Sequence, residues 1–261
     1  MTMQIITNAD DFGFCEDTVR ATIECFEARA LTSATIMPNM PATASAVAYA
    51  RCNSNLSFGV HLTFAAGTVE APVLPPSRIP SLVTEDGRFR PTNTIRLLAL
   101  CRQIPIDQIE AEAEAQIAFL VDQGVPVSHV DSHFHLHKLP SFCRALCRVL
   151  PKFGIRRVRN VQNVYTKRPV TSPTYWFGAS WQRSLMRSFS TTQHFFMDHR
   201  DEESWPDRLL SEVREGTLEV GVHPGYAEAW RDHERSRIKR FAENCRRAGH
   251  SLVSWKALPA S

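Results

Sequence analysis

The chain has 261 residues, 43% of them hydrophobic and 22% charged, with a formal net charge of +3. That length and balance exclude a disordered polymer and allow one large domain or two small ones. No apolar run approaches the roughly 18–20 residues of a membrane span. The opening stretch "MTMQIITNADDFG" reaches acidic residues too early for a secretory signal, so a cytoplasmic location is expected. Seven cysteines, odd in number and without a second close pair to complete a zinc site, read as buried or half-buried free thiols. The charge is uneven: residues 1–130 carry 8 Lys/Arg against 14 Asp/Glu, and residues 131–261 carry 22 against 13. The basic residues gather at Lys152–Arg168 and Arg231–Arg247. They read first as solvated helix faces, and second as a surface that favours an anionic partner.

In chain order, "MQIITNADD" predicts a strand, followed by a helix from about Thr18 to Ala30. "LTSATIMPNM" is a second strand and "PATASAVAYARCN" a helix opened by Pro41. "LSFGVHLTF" is a third strand, followed by a Pro-rich loop from Pro72 to Pro91 of the kind that often lies over a site. Helices are predicted at Thr94–Cys101 and Ile106–Gln123, the latter patterned through Ile109, Ala113, Ile117 and Leu120. "SHVDSHFHLH" then reads as a strand, "PSFCRALCRVLPKFG" as a helix and "IRRVRNV" as a strand. Residues 170–200 read as irregular and aromatic-rich. "EESWPDRLLSEVREG" is helical, "TLEVGVHPG" a strand, "SRIKRFAENCRRAG" a helix and "SLVSW" a last strand. The alternation argues for a mostly parallel sheet in an α/β fold. Without a Gly-rich nucleotide loop, a (β/α) barrel, closed or partly open, is expected over a doubly wound sheet. Its site would lie at the C-terminal ends of the strands.

In a strand, residues two apart share a face, so Asp131, His133, His135 and His137 are expected to project together. Phe134 and Leu136 would pack outward under helices. Three imidazoles beside a carboxylate point to metal binding or catalysis. A strand advances about 6.6–6.8 Å per two residues, so one ion cannot easily take both His133 and His137. The other ligands must come from other strand ends: Asp10 and Asp11 in "NADDFG", His61 in "GVHLTF" and His223 in "GVHPGY".

These elements, "NADDFG", "LTSATIM", "GVHLTF", "HVDSHFHLH" and "VGVHPGY", resemble the YdjC-type carbohydrate deacetylases. That family includes chito-oligosaccharide deacetylases and a branch associated with hopanoid glycolipid biosynthesis. The resemblance implies a barrel-like fold and one divalent metal ion, magnesium by the family, whereas imidazole donors lean towards zinc and also tolerate manganese. It implies Asp11, His61 and His133 as metal ligands, Asp10 as general base and His223 as general acid or a stabiliser of the intermediate. Asp131, His135, His137 and Arg159 would be pocket or supporting groups.

The expected enzyme is a metal-dependent hydrolase that removes an N-acetyl group from an amino sugar or its glycoconjugate, releasing acetate and a free amine. Residues 1–261 would form one catalytic domain, with insertions at about 65–105 and 165–205 shaping the pocket. Two alternatives stand beside it: a metal-dependent phosphoesterase or other hydrolase on a similar barrel, and a non-catalytic sugar- or nucleic-acid-binding protein. No nucleic-acid partner is expected. The stripe Phe177, Trp181, Leu185 and Phe189 within Tyr175–Phe189 reads as a helix packed on the barrel. It also admits a lipid-linked substrate and peripheral membrane contact. A homo-oligomer is compatible with the sequence.

Overall fold

The computed structural model describes residues 2–67, 70–166, 173–198 and 203–259, with the side chains of 173–175 outside that description. Six parallel strands form a half-barrel: β1 (Gln4–Phe12), β2 (Ser33–Ile36), β3 (Ser57–Leu62), β4 (Val127–Ser132), β5 (His194–Met197) and β6 (Thr217–Val222). Their spatial order is β4-β3-β2-β1-β6-β5. The short β7 (Ser251–Leu252) pairs with the start of β1 at Gln4 and Ile5. Helices α1 (Glu16–Glu27), α2 (Thr43–Cys52), α3 (Thr92–Leu100), α4 (Ile106–Asp122), α5 (Pro140–Val149), α6 (Pro173–Ser188), α7 (Trp205–Glu212) and α8 (Ala229–Arg247) complete the order. Strands β2 and β3 are buried at every residue, as parallel strands with both faces covered must be.

The outer layer is packed with aromatic rings. Phe12, Phe26, Tyr49 and Phe58 meet with centroids 5.7–6.2 Å apart, and Trp205 packs between Phe196 and Phe241. Helix α4 buries its predicted stripe of Ile109, Ala113, Ile117 and Leu120, together with Glu112 and Gln116. Those two polar residues pin the loop after β3. Gln116 accepts from the Thr63 amide and donates to its carbonyl, and Glu112 accepts from the amides of Val73 and Leu74.

Several expectations are corrected. The strand expected over "SHVDSHFHLH" ends at Ser132, and His133–Lys138 forms a tight helical turn with left-handed φ at Phe134 (56°) and His135 (55°). His133, His135 and His137 therefore do not share a strand face with Asp131. "IRRVRNV" forms only isolated bridges, yet with the residues that follow it, up to Val164, it spans the gap between the sheet's two edges. Val130 of β4 bonds Arg157 and Arg159, while Asn163 and Val164 donate to Phe195 of β5. Within the region 170–200, the described residues 173–198 hold α6 and β5 rather than irregular chain throughout. Helix α8 begins seven residues before the expected Ser236; it buries Arg231, Glu234 and Arg237, while Arg240, Glu243, Arg246 and Arg247 are exposed on its solvated face. Cys52, Cys101 and Cys147 are exposed, against the expectation for all seven thiols.

Along α6, Leu185 and Phe189 are buried and Trp181 is half-buried, whereas Phe177 is 57% exposed. The stripe thus packs inward from its second member. Among the described residues no helix is long and apolar enough to cross a membrane. Parts of the expected insertions (68–69, 167–172 and 199–202) and the basic pair Lys167 and Arg168 lie outside the described residues.

Gly59 marks the tightest spot between β3 and β4. A Cβ there would lie 2.6 Å from the His129 carbonyl oxygen and 2.7 Å from its ring, and that ring is stacked on Trp255 at 4.8 Å. Gly59→Ala is expected to cost about 1–3 kcal/mol of stability through overpacking, read from the urea midpoint at unchanged slope. An unchanged midpoint would mean that His129 yields without penalty.

Candidate metal centre

The site grows out of an irregularity in β1. Pairing with β2 slips between Ala9 and Phe12, and Asp11 adopts φ 58°, a left-handed conformation that non-glycine residues rarely hold. Adjacent strand residues normally point to opposite faces. The slip at Asp11 brings the carboxylates of Asp10 and Asp11 into one cavity, of about 550 Å³. Gly13 follows with φ 100°, but the carboxylates converge at Asp11 itself.

Asp11 Oδ1 lies 3.1 Å from His133 Nδ1 and 3.4 Å from His61 Nε2. It is buried and receives no aligned hydrogen bond. Its partner oxygen Oδ2 accepts from Arg231 Nη2 at 2.8 Å. One ligand atom each from Asp11, His61 and His133 falls within 4.8 Å of the others. One carboxylate and two imidazoles, with a buried oxygen lacking a donor, fit a divalent cation. Asp10, His61 and Asp131 also lie close together, but their carboxylates are already engaged, so that group reads as an ion-pair network.

The centre of this network is Arg159, which is fully buried. Its guanidinium grips Asp10 bidentately at 2.5 and 2.7 Å, reaches Asp131 Oδ2 at 2.6 Å and donates to Glu219 at 2.9 and 3.0 Å. Burial alone would push Asp10 up, but the guanidinium outweighs it and holds this carboxyl well below the usual range. Burial, with Arg159 only partly opposing, raises Glu219 to about 7. Asp131 sits opposite His61 across β3 and β4 and takes its Nδ1 at 2.7 Å, which turns Nε2 towards Asp11. Burial disfavours charge on His61, but Asp131 and Asp11 overcome it and raise the imidazole to about 10.

His223, at the end of β6, is half-buried. Its Nδ1 lies 3.1 Å from Glu234 Oε2 and its Nε2 lies 4.0 Å from Asp10 Oδ2. Burial opposes its charge, but Glu234 prevails and the imidazole is raised. The sites expected from sequence thus separate. Asp10, Asp11, His61, His133 and His223 meet in the cavity, with His135 on its wall. Arg159 and Asp131 lie beneath it. His137 turns away to Ser132 Oγ at 2.7 Å, and burial holds both His135 and His137 well below the ordinary histidine range.

Four contributors were not foreseen: Glu70, Glu219, Arg231 and Glu234. Glu219 had a signal, a charged residue inside the apolar strand "TLEVGV". Arg231 and Glu234 had a weaker one, since they are three apart on one helix face. Glu70 had none.

The YdjC-like protein family matches residues 4–251. A carbohydrate deacetylase of Listeria monocytogenes serotype 4a (strain HCC23) is 36% identical over 226 residues, covering 87% of this chain and 83% of the relative. One from Halalkalibacterium halodurans is 29% identical over 245 residues, covering 92% and 94%. Among solved structures, a proposed cellobiose-phosphate cleavage protein from Enterococcus faecalis V583 superposes with a TM-score of 0.80 at 22% identity, covering 98% of this chain and 99% of that one. A family 4 carbohydrate esterase from Streptomyces lividans, in complex with acetate, superposes at 0.50 and 10% identity, covering 99% and 97%. Both structural likenesses concern the fold.

Arg159→Met leaves three buried carboxylates without their cation, and a loss of about 3–5 kcal/mol is expected. The pH dependence fixes the sign. In the wild type Asp10 lies below its unfolded value, so its contribution is present above the unfolded carboxylate range and fades as pH falls. Without the guanidinium, burial raises these carboxyls, and stability is lost as pH rises. The gap between variant and wild type should therefore narrow from pH 8 to pH 5 in denaturant titrations.

Proposed function

Since this chain belongs to the YdjC-like protein family, we propose that it is a metal-dependent carbohydrate deacetylase that hydrolyses the N-acetyl group of an amino sugar or amino-sugar glycoconjugate. Residues 1–261 act as one catalytic unit in this reading. The observation that carries it is the division of labour between adjacent carboxylates. Asp11 offers a bare oxygen to His61 and His133, while Arg159 holds Asp10 beside that group and ionised. The names of the curated relatives support the substrate class and the reaction.

Asp11, His61 and His133 would hold the ion. A divalent cation there supplies Lewis-acid polarisation of the acetyl oxygen and eases deprotonation of the attacking water. Asp10 then takes the proton from that water as its oxygen bonds the acetyl carbon. Its double hydrogen bond to Arg159 fixes its direction. His223, whose charged form Glu234 favours, gives its proton to the nitrogen as the C–N bond breaks. Acetate and the free amine leave. Two groups 4.0 Å apart, a carboxylate held ionised by Arg159 and an imidazole shifted towards its protonated form by Glu234, suit the base and acid halves of one hydrolysis.

Phe14, Phe134 and Trp230 line the same cavity and offer ring faces for a sugar. The mixed donor set accepts Zn²⁺ or Mn²⁺ readily, and Mg²⁺ with water completing its shell.

Two outcomes are expected. Asp10→Asn should retain its metal by elemental analysis yet lose at least about 10²-fold in acetate release from a panel of N-acetylated sugars and glycolipids. Wild-type turnover in that variant would remove Asp10 as base. Glu234→Gln withdraws the charge that raises His223, so the alkaline limb of the kcat profile should move to lower pH. An unmoved limb would take His223 out of the acid role.

A further inference from the structure

Glu70 belongs to the loop between β3 and α3 and is 2% exposed. Its Oε1 lies 3.1 Å from His133 Nε2, and its Oε2 accepts from the Gly67 amide at 2.9 Å. The loop is tied down on either side of it, at Thr63 by Gln116 and at Val73 and Leu74 by Glu112. The carboxylate is therefore presented from a fixed position. His133 is equally constrained. It sits where the chain turns left-handed at Phe134 and His135, and Arg96 Nη2 holds the Phe134 carbonyl at 3.1 Å.

We propose that Glu70 is the positioning residue for His133, fixing the imidazole with Nε2–H towards the loop and the Nδ1 lone pair towards Asp11. The proposal rests on the reading of Asp11, His61 and His133 as a metal centre. It makes the two histidines equivalent in design, though from unrelated elements. Asp131 on β4 takes Nδ1 of His61 and leaves Nε2 facing Asp11, whereas Glu70 takes Nε2 of His133 and leaves Nδ1 facing Asp11. A carboxylate behind a ligating histidine fixes its tautomer and strengthens it as a donor, and removing one typically weakens metal binding by about 10–100-fold. The loop that borders the cavity and the ligand that completes the metal centre are then joined through one carboxylate.

Zn²⁺ affinity by calorimetric titration tests this, with the thermal midpoint of the metal-free protein as the second readout. Glu70→Gln, which retains an acceptor without the charge, should bind Zn²⁺ about 10-fold more weakly than wild type. Glu70→Leu, which removes the acceptor, should approach about 100-fold. Both metal-free midpoints should stay close to wild type. Wild-type protein that takes up no Zn²⁺ would overturn the metal reading itself. Wild-type protein that binds while Glu70→Gln binds within twofold of it would overturn the role of Glu70 alone, and a lowered midpoint at unchanged affinity would show that Glu70 only secures the loop.

Discussion

The buried guanidinium of Arg159 is the constraint on which the site is built. Three carboxylates, from β1, β4 and β6, converge on it inside the half-barrel. Without a cation they could not all be ionised in that position, because desolvation and mutual repulsion would neutralise them. With it, each becomes a fixed acceptor aimed at a neighbour. Asp131 orients His61, Asp10 is held as carboxylate in the cavity wall, and Glu219 completes the guanidinium's surroundings. Phe195 covers the guanidinium's face at 4.8 Å. Buried ion pairs of this kind contribute little net stability; their use here is directional.

Of the six described non-glycine residues with left-handed φ, Arg29, Asn39 and Arg102 lie in turns elsewhere and three lie at this centre. Asp11, Phe134 and His135 hold left-handed φ without being glycine, a conformation that persists only when the surroundings impose it. At Asp11 the surroundings are Thr18 Oγ1 and the Phe14 amide on its carbonyl, and Arg231 on its carboxylate. At Phe134 they include Arg96. The sheet supplies a rigid frame, and these few residues depart from regular geometry so that Asp11, His61 and His133, from β1, β3 and the turn after β4, face one point.

Much of this was legible in the sequence, though not always for the right reason. Runs such as "MQIITNADD" and "LSFGVHLTF" are strands because both faces are buried, and their ends carry Asp10, Asp11 and His61 as expected. The spacing of two in "HVDSHFHLH" drew attention to the correct residues by an incorrect geometry. His133 reaches the site because the chain leaves the strand at Ser132, and His137 is lost from it for the same reason. Charged residues on α8 were read as solvated, since hydropathy does not reveal that Arg231 faces Asp11 or Arg237 faces Asp198. Glu70 lies in a loop without periodicity, so only the fold could bring it to His133.

In the proposed centre Asp11 Oδ1, His61 Nε2 and His133 Nδ1 share one cation. Anomalous diffraction from crystals grown with Zn²⁺ tests it most directly. A single strong peak about 2.0–2.2 Å from all three atoms is the expected result. A peak seated instead among Asp10, His61 and Asp131, or no peak near Asp11, would contradict it.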